Sequence, residues 1–376
     1  MQQPQHATTD AGGSSSAVVA IGVMTIATGR PWRGGRSGLP WDTLMPDEVV
    51  AVRYVCRCSA PHRPRVVCVR DEALIPKVVL WLRKAMRLFP SARFICKTDD
   101  DSYVQTAQVH ADLSRLEPLA CGYGLVEVME RMRPWDELPH SKPRFGAIVE
   151  QYSSLPVIKY VRSPFLMGAF WALSRDLAAI VPDRLHALHS QVEESINRMG
   201  SQQRDLLRRY ANRSAMAWVP QEDAMVGYSL HEAAHAAGLR SIRLHHLTWT
   251  RVHHFADDKG GMGWVLPSAA STVVHWLKGG AEQWRRTHEL LAAATSPKLE
   301  PFVLRWNIKY PRFGALDADN ATRARWRAYR RVCGNWGCHA PLRGGDLDAF
   351  LTAPYTGEAP ADSLASLAAR WNFSLA

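Results

Sequence analysis

The sequence has no apolar run long enough to cross a bilayer. A spanning helix needs about 20 consecutive, predominantly apolar residues, and the longest such run, Ala17 to Ala27, is about half that. Met1 to Ser16 is polar and lacks the basic start of a secretory signal. Nothing in the chain therefore directs it to a membrane. There is no Lys/Arg-rich block of the kind that forms a nucleic-acid arm, so no nucleic-acid partner is expected. Neither G-x-G-x-x-G nor a P-loop occurs, and no internal repeat is found. Cysteine is scarce and odd in number, seven in 376 residues, in a chain too large to need disulfide staples. Cys333 and Cys338, in CGNWGC, are close enough to pair in a loop, whereas Cys96 lies in an apolar strand as a buried thiol.

The composition is that of a globular protein, 47% apolar and 22% charged, which excludes a disordered, collagenous or coiled-coil chain. The net charge is +11, and such an excess favours polyanionic partners. Nucleotide-sugars and phosphorylated glycans qualify, and the 14 Trp scattered among the basic residues suit sugar faces. Sequons at Asn212, Asn320 and Asn372 hint at a lumenal life.

Residues 1–16 read as a disordered lead. VVAIGVMTI (Val18 to Ile26) is β-branched and continuous, as a buried parallel strand is. VVAVRYVC (Val49 to Cys56), RVVCV (Arg65 to Val69) and ARFICKT read as further strands. Between the last two, IPKVVLWLRKAMRLFP places Val78, Leu82, Met86 and Phe89 on one helical stripe that Pro90 ends. This alternation predicts an α/β layer with a mostly parallel sheet. VQTAQVHADLSRL predicts a helix, residues 122–160 an irregular Gly/Pro-rich stretch, PFLMGAFWALSRDLAAIV a strand running into a helix, and residues 184–212 a charged amphipathic helix. QEDAMVGYSLHEAAHAAG predicts a turn and a long helix closed by Gly238, and STVVHWLK a short strand. Residues 290–376 are expected to form a separate extension of unknown role.

The sharpest local signal is Asp99-Asp100-Asp101 at the end of an apolar strand. Adjacent carboxylates repel one another unless they are solvated or bind a cation. Ligands of open α/β sheets sit beyond the carboxyl ends of strands, where this triplet falls. Side chains alternate, so Asp99 and Asp101 can face one site while Asp100 turns inward. Oxygen ligands suit Mn²⁺ or Mg²⁺ bridging a diphosphate. A solvated acidic loop, or a cap for the following helix, fits the spacing equally well.

Glu222 and Asp223 open a helix after Pro220. They read either as acids stabilised by the helix N-terminus or as a general base with a supporting neighbour. His231-Glu232-Ala233-Ala234-His235 is a literal H-E-x-x-H, the zinc-peptidase signature. Its extended form requires a His at position 241, where Ser241 stands. The other reading is a solvent-facing, His-rich helix. His245, His246, His253 and His254 read as surface or loop residues, with His253 or His254 a fallback metal ligand. The loop Thr28 to Arg36 carries Gly29, Gly34 and Gly35 with Arg30, Arg33 and Arg36, so Thr25 and Arg30 are candidate nucleotide contacts.

The segment ARFICKTDDDSYV resembles the strand and DxD motif of family 31 of the glycosyltransferases, the β-1,3-galactosyltransferase group. Three blocks follow in that family's order: SPFLMGAFWALSRDLAAIV (Ser163 to Val181), VPQEDAMVGYSL (Val219 to Leu230) and STVVHWLK (Ser271 to Lys278). WLRKAMRLFP and HADLSRL resemble the kinetoplastid variant, whose members build phosphoglycan side chains. The resemblance spans Val18 to Trp284. It implies an α/β, GT-A-like, Rossmann-related mixed sheet flanked by helices over residues 17–285, with a C-terminal extension. It implies inverting transfer of galactose, or second N-acetylglucosamine, from a UDP-sugar to a glycan acceptor with a β-1,3 bond. Asp99, Asp100 and Asp101 would serve the nucleotide; Asp99, Asp101 and His275 would hold Mn²⁺ or Mg²⁺; Asp223 would be the base, with Glu222 supporting it or touching the acceptor. A Golgi location follows by resemblance, through an anchor that this chain does not show. The charge makes an anionic acceptor the expectation. Two rivals stand beside this reading: a zinc metallopeptidase using His231, Glu232 and His235, and a catalytically inactive glycan-binding protein on the same fold.

Overall fold

A computed structural model describes residues 18–24, 47, 49–56, 66–69, 74–128, 164–198, 222–247, 251–254, 271–275, 277, 281–292, 302–308 and 316–317. The elements run β1 (Val19–Met24), β2 (Val49–Cys56), β3 (Val66–Val69), α1 (Leu74–Leu88), β4 (Phe94–Asp99), β5 (Tyr103–Val104), α2 (Thr106–Arg115), β6 (Cys121–Val128) and β7 (Pro164–Ser174). They continue with α3 (Arg175–Asn197), α4 (Glu222–Ala236), β8 (Ser241–His246), β9 (Val252–His254), β10 (Val273–His275), α5 (Ala281–Ala292), β11 (Phe302–Asn307) and β12 (Leu316–Asp317). The main sheet has nine strands in the order β12-β11-β8-β6-β7-β4-β1-β2-β3, and a second has three, β5-β10-β9.

The first half of the main sheet is built as its β-branched strands dictate. β2, β1 and β4 are parallel, with Met24 opposite Asp99 at their carboxyl ends. Beyond β4 the sheet departs from the mostly parallel expectation. β7 is antiparallel to both β4 and β6, and β11 is antiparallel to β8 and β12. The reason lies in the segment expected to be irregular: residues 121–128 form β6, which pairs with β7 despite Gly122 and Gly124. Those glycines mimic a loop in sequence, yet each is set by packing. A Cβ on Gly122 would come within 2.8 Å of Leu244 Cδ2, and Gly124 has φ +153°, where the register of β6 shifts.

The strands alternate between two cores. Ala20, Met24, Ile95, Trp171 and Leu173 face α1, α3 and α4, while Val19, Ile21, Val23, Phe94, Cys96 and Phe170 face α2, α5 and the small sheet. Burying each such Val, Ile, Leu or Phe contributes roughly 1.5–3 kcal/mol. The predicted stripe of α1 is real: Val78, Leu82 and Phe89 are buried, and Met86 packs against the same cluster. Gly22 exists to admit Trp81, since a Cβ there would lie 2.6 Å from the indole. Trp81 Nε1 donates to the Cys96 carbonyl at 2.8 Å, which satisfies the buried N–H.

Phe302–Asn307, inside the expected separate extension, belong to the main sheet. Phe302↔His246 through Asn307↔Ser241 pair antiparallel, and Trp306 is buried against the helical core. The sheet edge therefore does not fall at the boundary expected near residue 285. Residues 318–376, with Cys333 and Cys338, lie outside the described residues, as do Asn212, Asn320 and Asn372.

The small sheet is pinned by a buried ion pair. Arg251 NH2 donates to Asp112 Oδ2, which also accepts from Tyr123 OH at 2.6 Å. Gln108 Nε2 donates to Asp112 Oδ1 at 2.7 Å, and Arg251 Nε to Thr272 Oγ1 at 3.1 Å. The Arg251 carbonyl accepts the N–H of both Thr272 and Val273, so this network sets where β10 begins.

Candidate active site

β4 ends at the sheet's carboxyl edge, and its last residue is the first acid of the triplet. The chain turns at once, with Ser102 N–H donating to the Asp99 carbonyl at 3.2 Å, and enters the two-residue β5. β5 pairs antiparallel with β10, Val104 opposite Val273 and Tyr103 opposite Val274. Continuing that register carries His275 past the pair toward the turn, and Leu277 N–H donates to the Asp101 carbonyl at 3.0 Å. A strand from far along the chain thus brings an imidazole to the triplet.

His275 Nε2 lies 3.0 Å from Asp101 Oδ1 and 3.6 Å from Asp99 Oδ2. Asp99, Asp101 and His275 each offer a ligand atom within 4.8 Å of the others, and all three are half-buried. Among the described residues they are the one such group of three. Two carboxylate oxygens and an imidazole fit Mn²⁺, which accepts both donor types, better than strictly oxygen-loving Mg²⁺. Asp100 is set apart. Burial first, then the charges of Asp101 and Asp99, pushes its carboxyl up to about 7. Its N–H donates to the Met24 carbonyl at 3.2 Å, tying the turn to the end of β1.

Lys97 lies two residues before Asp99 and therefore on the same side of β4. It is fully buried. Its ammonium donates to the Gly168 carbonyl at 2.8 Å and to Glu222 Oε2 at 2.9 Å, and forms an ion pair with Asp99 Oδ1 at 2.8 Å. Burial alone would lower its pKa; Asp99 and Glu222 more than offset this, and the net direction is upward. Lys97 stays charged.

Glu222 and Asp223 occupy the first turn of α4. α4 lies against β7 closely because of Gly227, where a Cβ would meet Phe165 Cβ and the Pro164 carbonyl at 2.5 Å. It ends as the sequence predicts: Gly238 has φ +74°, and Leu239 N–H reaches back to the Ala234 carbonyl at 2.9 Å. The two acids are held differently. Glu222 gives one oxygen to Lys97, and burial raises its carboxyl to about 7 against the opposing pull of that cation. Among the described residues Asp223 accepts from two backbone donors, Ala224 N–H at 2.9 Å on Oδ1 and Gly168 N–H at 3.3 Å on Oδ2. Burial raises its pKa as well, with Lys97 and the two N–H groups pulling it back. A carboxyl raised in this way is a stronger base once ionised.

Gly168 is the hinge of the arrangement, its carbonyl on Lys97 and its N–H on Asp223. Neither Lys97 nor Gly168 was singled out by sequence reasoning. The available signal was a lysine inside an apolar strand, in step with Asp99.

Among the described residues, the H-E-x-x-H run assembles no metal site. His231 is buried and its ring stacks on Trp306, with centroids 5.7 Å apart. His235 is exposed, and Glu232 pairs with Arg184 at 2.7 Å. The helix is therefore not simply solvent-facing either, since β11 covers His231. His245 and His246 also differ from the expected surface placement. Both are buried in β8, and His246 Nδ1 accepts Val126 N–H at 2.9 Å beside the irregularity in β6. His253 and His254 lie in β9. Thr25 and Arg30 lie outside the described residues.

No helix among the described residues is long and apolar enough to cross a membrane. Comparison with curated proteins finds no match. Residues 72–195 match the family model described as Galactosyltransferase. The matched segment holds the triplet, Lys97 and Gly168; Glu222, Asp223 and His275 follow it in the chain.

Proposed function

From the premise that residues 72–195 are a galactosyltransferase-family segment, and that the chain is a hexosyltransferase on a mixed α/β, GT-A-like sheet, we propose that it transfers galactose from a UDP-sugar to a glycan hydroxyl, with inversion and a β-1,3 bond. N-acetylglucosamine is the second donor choice. The observation that carries the reading is the joining of Asp99, Asp101 and His275, through Lys97, to the acids that open α4. Asp99, Asp101 and His275 would hold Mn²⁺, which when bound offsets charge on the diphosphate leaving group. Asp223 is the base. It takes the proton of the acceptor hydroxyl as that oxygen attacks the anomeric carbon from the face opposite the diphosphate. The new carbon–oxygen bond forms as the bond to UDP breaks, so an α-linked donor gives a β-linked product. Asp100 and the loop carrying Thr25 and Arg30 would meet the nucleotide.

The +11 charge supports an anionic acceptor such as a phosphoglycan. Residues 17–285 with β11 and β12 would make up the catalytic unit, working in the Golgi as the family's location suggests. The peptidase reading has no third ligand for His231 and His235 among the described residues.

The test is a panel of UDP-sugars with Mn²⁺, read as UDP release, against neutral and phosphorylated β-galactoside acceptors. Release from UDP-galactose that depends on Mn²⁺ and on acceptor is expected. UDP-sugar binding without turnover would favour an inactive binding protein. Absence of both binding and release, with zinc-dependent proteolysis in their place, would overturn the proposal.

A further inference from the structure

An acid assigned to the donor side, Asp99, and one assigned to the acceptor side, Glu222, both pair with Lys97. They come from distant parts of the chain, the end of β4 and the start of α4, and one ammonium lies between them. Lys97 donates hydrogen bonds to Glu222 Oε2 and the Gly168 carbonyl, and its charge lies in an ion pair 2.8 Å from Asp99 Oδ1. Asp99 is shared in turn, Oδ1 toward Lys97 and Oδ2 toward His275. Gly168 passes the linkage on, because its N–H donates to Asp223. A chain of contacts thus runs from Asp101 through His275, Asp99, Lys97 and Gly168 to Asp223. A Cβ on Gly168 would sit 3.3 Å from both Lys97 Nζ and Glu222 Oε2, so the packing about this ammonium has little slack.

We propose that Lys97 is a positioning residue for sugar transfer. It commits Glu222 to a buried pair, keeps that acid away from the acceptor, and fixes the base-bearing end of α4 at a set distance from Asp99. Asp223 is then the one acid of the pair left to meet the acceptor. The inference rests on the transferase reading, and it narrows the role of Glu222 from base or acceptor contact to anchor.

Removing Lys97 alone leaves two buried carboxylates without their cation, and that variant can fail to fold. The informative protein is the full chain carrying Lys97→Met and Glu222→Met together, because exchanging a buried pair for apolar residues is commonly neutral for stability. Three quantities are measured: melting temperature, calorimetric Mn²⁺ affinity in the presence of UDP, and kcat with KM for each substrate. The double variant is expected to melt within a few degrees of the parent. Its kcat is expected to fall about 10²-fold, the scale of a misplaced catalytic group, with donor KM changed less than about threefold. Its Mn²⁺ affinity is expected to rise severalfold, because the cation in contact with Asp99 is gone, while the Glu222 charge lost with it is held on the other side of that cation. A purely structural Lys97 predicts that restored melting brings restored kcat, and that result would overturn the proposal. Glu222→Gln losing as much kcat as Asp223→Asn would also overturn it, since Glu222 would then act on the acceptor itself. If the parent shows no Mn²⁺-dependent UDP release, the transferase reading fails. The metal arm still decides the placement of Lys97, with parental Mn²⁺ affinity in the double variant counting against it.

Discussion

Asp112→Asn removes one charge from a buried ion pair. Arg251 is 1% exposed and Asp112 6%. In the parent, Asp112 accepts from three donors: Arg251, Tyr123 OH at 2.6 Å and Gln108 Nε2 at 2.7 Å. Asparagine offers one accepting oxygen and one donating nitrogen. If the oxygen serves Arg251 and Tyr123, the nitrogen meets the Gln108 donor, and half-buried Gln108 can turn its amide to oblige. The hydrogen bonds are therefore recoverable, and the lasting loss is the counter-charge of a buried guanidinium. Breaking such a pair costs about 3–5 kcal/mol. For 376 residues, with an unfolding entropy of about 0.8 kcal/mol/K, that lowers the melting temperature by roughly 4–6 °C. Replacing both partners, Asp112→Leu with Arg251→Met, should recover most of the loss. Thermal unfolding by circular dichroism measures all three proteins. A drop of only a degree or two in Asp112→Asn would refute the reasoning, because Arg251 would then be compensated from elsewhere. The same network carries the start of β10, so Mn²⁺ affinity should weaken in the single variant even well below its melting point.

Asp101→Asn should remove most of the Mn²⁺ affinity measured by calorimetry with UDP present, and an unchanged isotherm would separate Asp101 from the metal. Asp223→Asn should retain UDP and Mn²⁺ binding while transfer falls by ~10²-fold or more; near-parental transfer would move the base elsewhere. Gly168→Ala should destabilise by about 1–3 kcal/mol through crowding of Lys97 and Glu222, with kcat falling at least about tenfold, and parental values would show that the site relaxes freely. His246 is pushed down to about 3 by burial, and its Nδ1 lone pair is held by Val126 N–H. The unfolded chain takes up that proton near 6.5, so this contribution to stability is present above 6.5 and is lost as pH falls toward 3. The slope is at most about 1.4 kcal/mol per pH unit. His246→Gln keeps an acceptor for Val126 and should lose that slope in urea titrations at pH 7 and 5, whereas identical pH dependence in both proteins would refute it.

The parts legible in the sequence are those where local pattern and tertiary placement agree. β1, β4 and α1 declare themselves by short, largely apolar runs and a helical stripe, because both strands are covered on both faces. Asp99 and Asp101 do meet, as strand alternation suggests, but through the turn that follows β4 rather than along the strand. The imidazole of His275 came only by resemblance, since nothing local says that β10 returns to β5. β6 was hidden by glycines that packing, not looping, requires. His231 and His246 were misplaced because a histidine carries no sign of its burial; Trp306 and the backbone of Val126, remote in sequence, decide it. Lys97 was passed over for a related reason. A lone lysine in a strand reads as an edge or a defect until the carboxylates that surround it are brought in from β4 and α4.

The pairing of β11 with β8 has a consequence for how the molecule is made. Chains emerge from the ribosome amino end first, at about 5–20 residues per second. When β8 has emerged, its outer row of N–H and C=O groups has no neighbour, and the His231 ring has no indole above it. The covering strand arrives some sixty residues later, which is roughly 3–12 s at that rate. During that interval a six-residue strand, Ser241–His246, stands as an open sheet edge, the kind of edge that recruits other chains. Ser241, Arg243 and His245 alternate along it with Ile242 and Leu244, and the arginine charge works against edge-to-edge association until β11 docks. Translation speed over residues 247–307, rather than the completed fold's stability, should therefore govern how much of the protein is recovered soluble.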